Sequence, residues 1–130
     1  MKPAAASWLK QAAEDLQYAR SAFDDGYYSW ACFASQQAAE KALKSVIVEK
    51  TGAVDKTHRL LALAEHAESF MSGIHELRPQ LDVLNQYYSA TRYADLHGGV
   101  APYEQFDAET AKEAMDFAGQ VLELVQREAS

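Results

Sequence analysis

Arg92 and His97 stand five residues apart in the run Arg92-Tyr93-Ala94-Asp95-Leu96-His97. Cleaving RNA without a metal needs a group that moves protons on and off the 2′-hydroxyl and the leaving oxygen. Histidine is the side chain that titrates nearest neutral pH. It also needs a fixed cation for the charge that develops on the phosphate, and arginine supplies one as a planar fork. Arg92 is therefore a candidate phosphate stabiliser and His97 a candidate acid/base. Five residues of ideal helix rotate by roughly 500°, so the two side chains would point about 140° apart. They converge on one phosphate if His97 lies past the helix end, where Gly98-Gly99 would permit it, or if a second subunit completes the site. The alternative is an arginine at a helix end paired with Asp95, beside a solvent-facing histidine.

A second group lies in Gln36-Gln37-Ala38-Ala39-Glu40-Lys41-Ala42-Leu43-Lys44. Gln37, Lys41 and Lys44 recur at steps of four and three, so they can share a helix face that holds a phosphate and a base edge. The competing reading is a helix surface with local Glu–Lys pairing. Asp15 is a candidate half-buried carboxylate that orients a neighbouring base, or a simple boundary residue. His58 either lines a pocket or merely follows Thr57, which would cap the next helix. His66 and His75 show no metal-ligand spacing. No glycine-rich phosphate loop and no nucleophile elbow is present, and neither a metal nor a cofactor is expected.

These residues need helices to position them. Trp8, Ala12, Leu16, Ala19 and Phe23 form one apolar stripe, which predicts a first helix over Ala4–Asp24 that ends at Asp25-Gly26. A second helix is predicted over Ser29–Glu49, with Ser29 as its cap and a wide stripe of small residues (Ala31, Cys32, Ala38, Ala39, Ala42), so it reads as the central helix. After a loop over 51–58, shorter periodicity predicts a third helix over Arg59–Phe70. A fourth follows over Ile74–Leu96, with Leu77, Leu81, Leu84, Tyr88 and Thr91 inward and Pro79 in its first turn or at a kink. Tyr87-Tyr88 reads as core, or core plus interface. A loop over 97–106 precedes a helix capped by Asp107 and running over Ala108–Arg127, with Ala111, Met115, Ala118, Leu122 and Val125 inward. The result is an all-α antiparallel bundle of four to five helices in one domain over 1–130.

Composition narrows the partners. A net charge of -7 argues against non-specific binding to bare nucleic acid. The charge is uneven: Glu40–Arg59 carries a net +2 and Glu104–Glu128 a net -5, so an anionic ligand would prefer the former. The lone Cys32 excludes an internal disulfide and suits a reducing cytoplasm. Glu14 and Asp15 set residues 1–20 apart from a signal peptide, and the apolar run near Val46–Val48 is too short to span a bilayer.

Along almost its whole length the chain resembles the HEPN family, the nucleotide-linked helical domains of higher eukaryotes and prokaryotes. The resemblance rests on Trp8, Ala12, Asp15-Leu16 and Ala19, then on Tyr28 and Ala31-Cys32-Phe33. It continues through the Gln36-to-Lys44 string, Thr57-His58 with Leu60-Leu61, and Thr91-Arg92-Tyr93. It implies a homodimer and a link to nucleotides or RNA. Many relatives are RNases with an arginine, four to six residues, then a histidine, brought together by two subunits. Many small relatives act beside a minimal nucleotidyltransferase, in pairs resembling toxin and antitoxin. Carried over, Arg92 is the phosphate stabiliser and His97 the proton-transfer group, with Tyr93 beside the ligand. The chain departs from the RNase members in placing Tyr93, rather than a polar residue, after the arginine. It has Gly99 where one toxin branch has a tyrosine. Three readings follow: a metal-independent RNase, a non-catalytic nucleotide-binding or nucleotidyltransferase-partner module, and a structural dimeric bundle.

Overall fold

A computed structural model describes residues 1–93 and 98–129 of the chain. Its α-helices are α1 (Pro3–Asp24), α2 (Tyr28–Thr51), α3 (Leu60–Glu68), α4 (Arg78–Asn85), α5 (Tyr87–Ala90) and α6 (Ala108–Ala129). Short 3-10 turns cover Ser72–Leu77 and Pro102–Gln105. The all-α bundle expected from the helical periodicity is present. Among the described residues no helix is long and apolar enough to cross a membrane.

α1 and α2 form a hairpin through Asp25-Gly26-Tyr27, where Gly26 takes a φ of 82° that a side chain would strain. The predicted stripe of α1 is recovered in Ala12, Leu16 and Ala19, all buried, with Trp8 and Phe23 at its margin. α2 lies at the centre, packed against α1, α3, α4, α5 and α6. Its rows of Ala31, Ala38, Ala39 and Ala42 are fully buried and let neighbouring backbones come close. Leu43 and Ile47 fill the space between them and Leu60, Leu63, Leu81, Leu84, Val121 and Val125 in one hydrophobic cluster. α2 ends at Gly52 in the left-handed conformation, with φ 74°, as its sequence indicates. Asp107 caps α6 by accepting the Thr110 N–H at 2.8 Å.

Three expectations need correction. Ser29 does not cap α2: the helix starts one residue earlier, at Tyr28, and Ser29 is buried inside it. Thr57 does not close the end of α3 alone. Its hydroxyl accepts the Arg59 N–H at 3.2 Å, but the first helical amide, Leu60 N–H, donates to Asn85 Oδ1 of α4 at 2.9 Å. The fourth predicted helix is not continuous. Pro79 has no N–H to give, so it sits in the first turn of α4, and residues 72–77 wind as a 3-10 turn before it. A second break separates α4 from α5 at Gln86. There the Gln86 side chain donates to the Val83 carbonyl at 3.0 Å, the acceptor an unbroken helix would offer to Tyr87.

Candidate functional site around Glu40, His58, Tyr88 and Arg92

Gln36, Glu40 and Lys44 recur every four residues on α2, so they stack on one face, and that face is turned inward. All three are buried, Glu40 at 2% and Lys44 at 4% exposure. Burial of charge is tolerated only with partners, and each group has them. Glu40 Oε2 lies 3.1 Å from Lys44 Nζ and 3.0 Å from His58 Nδ1, while Glu40 Oε1 accepts from Gln36 Nε2 at 3.1 Å. Gln36 Oε1 accepts from Gln37 Nε2 at 2.7 Å. Lys44 also lies 5.6 Å from the centre of the Trp8 ring.

Lys41 turns the other way. Its Nζ meets Asp15 Oδ2 of α1 at 2.6 Å, and Gln11 Nε2 donates to Asp15 Oδ1 at 3.0 Å. Gln37, Lys41 and Lys44 thus each face a different partner inside the protein. The local Glu–Lys pairing that competed with ligand binding on this helix is realised between Glu40 and Lys44.

His58 reaches Glu40 from the loop before α3, and side chains fix that loop step by step. Asp55 Oδ1 accepts the Thr57 N–H at 3.1 Å, Thr57 holds Arg59 and Asn85 holds Leu60. Such local side-chain-to-backbone bonds are how Asp and Thr set turns. Asp55 also meets His66 Nδ1 at 3.1 Å. That bond first, and then the Thr57 amide, hold its carboxyl below the usual carboxylate range. The His58 ring lies flat on Tyr88 of α5, with centroids 4.5 Å apart and planes 12° from parallel. Half of its side chain is exposed. It lines an open groove of about 420 Å³ with Lys56, Arg59, Asn85, Tyr88 and Ser89.

Tyr88 joins this groove to Arg92. The Arg92 guanidinium lies 4.4 Å from the centre of the Tyr88 ring, 4.6 Å from that of Phe33 and 5.2 Å from that of Tyr93. Its Nε donates to the Tyr88 carbonyl at 2.8 Å and its Nη2 donates to the same oxygen. Arginine stacks readily on aromatic faces, so three rings and one carbonyl fix both the position and the plane of the fork. Behind it, Thr91 is buried and its hydroxyl donates to the Tyr87 carbonyl at 2.8 Å, locking the last turn of α5. Phe33 in turn packs edge-on against Trp30 at 6.0 Å.

Of the residues singled out from the sequence, Arg92, Tyr93 and His58 are gathered on one surface around Tyr88. Asp15 and Lys41 pair with each other between α1 and α2. Lys44 lies in the interior, one step behind His58. His97 lies outside the described residues. Sequence reasoning missed Tyr88 and Phe33 as the platform, Glu40 as the hub and Asn85 as the residue that ties α4 to the His58 loop. One signal was available for Glu40: three polar residues four apart, on an alanine-rich helix that reads as central to the bundle, imply a buried polar network.

Comparison with known proteins identifies the fold. A model of the HEPN domain matches residues 5–128. The chain belongs to the HEPN domain family. Its fold is that of other members: it superposes on the crystal structure of an archaeal HEPN homologue, ST0689, with a TM-score of 0.78 and 32% identity over the whole of both chains. It is also similar to TT1696 from Thermus thermophilus, with a TM-score of 0.91 and 35% identity over 97% of this chain and 98% of that one. Among sequences, this HEPN chain is 26% identical over 128 residues to a protein of Methanocaldococcus jannaschii named "Putative toxin MJ1304", covering 92% of this chain and 84% of the relative.

Proposed function

We propose that this HEPN protein acts on RNA, cleaving it at a site where Arg92 stabilises the phosphate and His97 transfers protons. Two copies of the chain would bring their sites together in a shared groove. The observation that carries this reading is the setting of Arg92. Its guanidinium is clamped by Phe33, Tyr88 and Tyr93 and by the Tyr88 carbonyl, and among the described residues no carboxylate pairs with it. The contrast with Lys41 and Lys44, whose charges are met by Asp15 and Glu40, is direct. A cation whose position and plane are fixed by aromatic rings and a carbonyl is suited to an external anion, and it loses little freedom when a phosphate arrives.

In this reaction the 2′-oxygen attacks phosphorus, the bond to the 5′-oxygen breaks, and Arg92 meets the charge that builds on the non-bridging oxygens. A toxin-like role in the cytoplasm fits an RNA-cleaving activity, and the name of the archaeal relative points the same way. The test is incubation of the purified protein with RNA in EDTA. The wild type is expected to cleave, and Arg92→Ala to slow cleavage by about 10²–10³-fold, the usual loss when a charge-stabilising donor is removed. A wild type that leaves RNA intact, or an Arg92→Ala protein as active as the wild type, overturns the reading.

A second reading is favoured by the groove beside His58. An open cleft with Lys56, Arg59 and an aromatic ring also suits a nucleotide held without cleavage, in a module that partners a minimal nucleotidyltransferase. Nucleotide binding by calorimetry together with inert behaviour towards RNA would favour it.

A further inference from the structure

We infer that His58 is the base that takes the 2′-hydroxyl proton, an assignment that rests on the RNA-cleaving reading above and adds a residue to it. The geometry is that of an oriented imidazole. Glu40 Oε2 holds Nδ1 at 3.0 Å, the ring is stacked on Tyr88 at 4.5 Å, and half of the side chain is open to solvent. With Nδ1 engaged by Glu40 Oε2, Nε2 is the ring nitrogen left for a substrate. A carboxylate on one ring nitrogen and an accessible site at the other is the arrangement that makes histidine a general base.

Glu40 is neutralised without His58. Glu40 already has an ammonium at 3.1 Å on Oε2 and an amide at 3.1 Å on Oε1. Its charge is met from α2 alone. The imidazole is an additional partner, half-exposed in the lining of the groove.

The surroundings suit a ribonucleotide. Lys56 and Arg59 line the groove on the loop side, and Asn85 and Ser89 bring neutral polar groups from α4 and α5. His58 at 4.5 Å and Arg92 at 4.4 Å are both held on the Tyr88 ring, so one aromatic side chain fixes the position of each. In the step assigned to His58, its Nε2 takes the 2′-hydroxyl proton as the 2′-oxygen forms a bond to phosphorus. The bond to the 5′-oxygen breaks, and that oxygen leaves with the electron pair and takes a proton from solvent water. The products are a 2′,3′-cyclic phosphate and a free 5′-hydroxyl.

The experiment uses the full chain and a short RNA, the same oligonucleotide with a 2′-deoxy residue at the scissile position, and a third with sulfur in place of the 5′-leaving oxygen. His58→Gln is expected to slow cleavage of the first by about 10²–10⁴-fold, the range of general base catalysis, with unchanged affinity for the 2′-deoxy strand. The sulfur strand, whose leaving group needs no proton, should show the same loss. Restoration of its cleavage would make His58 an acid and overturn the assignment. Equal cleavage of RNA by wild type and His58→Gln overturns it while leaving the role of Arg92 standing. A wild type that cleaves nothing overturns both. Since His58→Gln touches the Glu40 network, a measurement on the wild type stands beside it. The Nε2 nitrogen-15 signal of His58 should shift as the 2′-deoxy strand is added, and a signal that stays unmoved at saturation counts against the assignment.

Discussion

Lys44 Nζ and Glu40 Oε2 meet at 3.1 Å one turn apart on α2, with both side chains almost wholly withdrawn from water. A pair of this kind contributes little net stability, because desolvating two charges offsets most of their attraction. Removing one member is different, since it strands the other in the interior. The pair therefore holds the polar face of α2 in register and presents a fixed carboxylate to the His58 loop.

The first prediction follows from that asymmetry. Lys44→Met should destabilise the fold by about 3–5 kcal/mol, the usual cost of an uncompensated buried charge. The double variant Glu40→Gln with Lys44→Met should recover most of that loss. Urea unfolding of the two singles and the double closes the cycle. A double variant no more stable than Lys44→Met would show that the two charges are not coupled.

The second concerns Asn85, whose Oδ1 accepts the Leu60 N–H at 2.9 Å from a different helix. Removing a side-chain oxygen at a helix start costs about 0.5–2 kcal/mol. Asn85→Ala should fall in that range, and Asn85→Asp, which keeps the acceptor, should stay near the wild type. Hydrogen exchange at Leu60 should quicken in Asn85→Ala. Unchanged exchange there would mean that the amide has another partner.

The third concerns alkaline pH. Burial first, and then the nearby carboxylates Asp107 and Glu113, push the Cys32 thiol from its ordinary 9.0 up to about 12. Burial, followed by Cys32 and the same carboxylates, pushes Tyr87 from 10.0 to about 12. The folded state keeps protons that the unfolded chain has already lost, so it binds more of them between pH 9 and 12. Stability must then fall as pH rises through that window and be insensitive to these groups below it. Urea midpoints measured from about pH 8 to 11 should decline, and less steeply in Cys32→Ala. Cys32 is also fully buried, so a thiol reagent at about pH 8 should modify it only as fast as the protein opens. Immediate modification of the native protein would place the thiol at the surface.

The long elements of this protein were legible in its sequence because helical periodicity is a local property. The stripe of α1, the alanine rows of α2, the left-handed stop at Gly52 and the cap at Asp107 each depend on neighbours within a few residues. The same local rules put Pro79 in a first turn or at a kink, yet they could not say that Gln86 would break the helix again. That break depends on which side chain takes the Val83 carbonyl.

The candidate residues Arg92 and His58 and the resemblance to the HEPN family were also present in the order of residues alone. Their setting was not. Glu40 and His58 are 18 residues apart, and Leu60 and Asn85 are 25 apart. No helical period links such positions. Sequence spacing placed Lys41 and Lys44 near one face, but only the packing of α1 and the His58 loop against α2 decided that their charges would be met by Asp15 and Glu40. Of the three rings around Arg92, Tyr88 and Tyr93 are its neighbours in sequence, and only Phe33 is brought in by the packing of α5 against α2. Spacing along a helix tells which side chains are neighbours, whereas the partner of a charge is set by what folds back onto it from elsewhere in the chain.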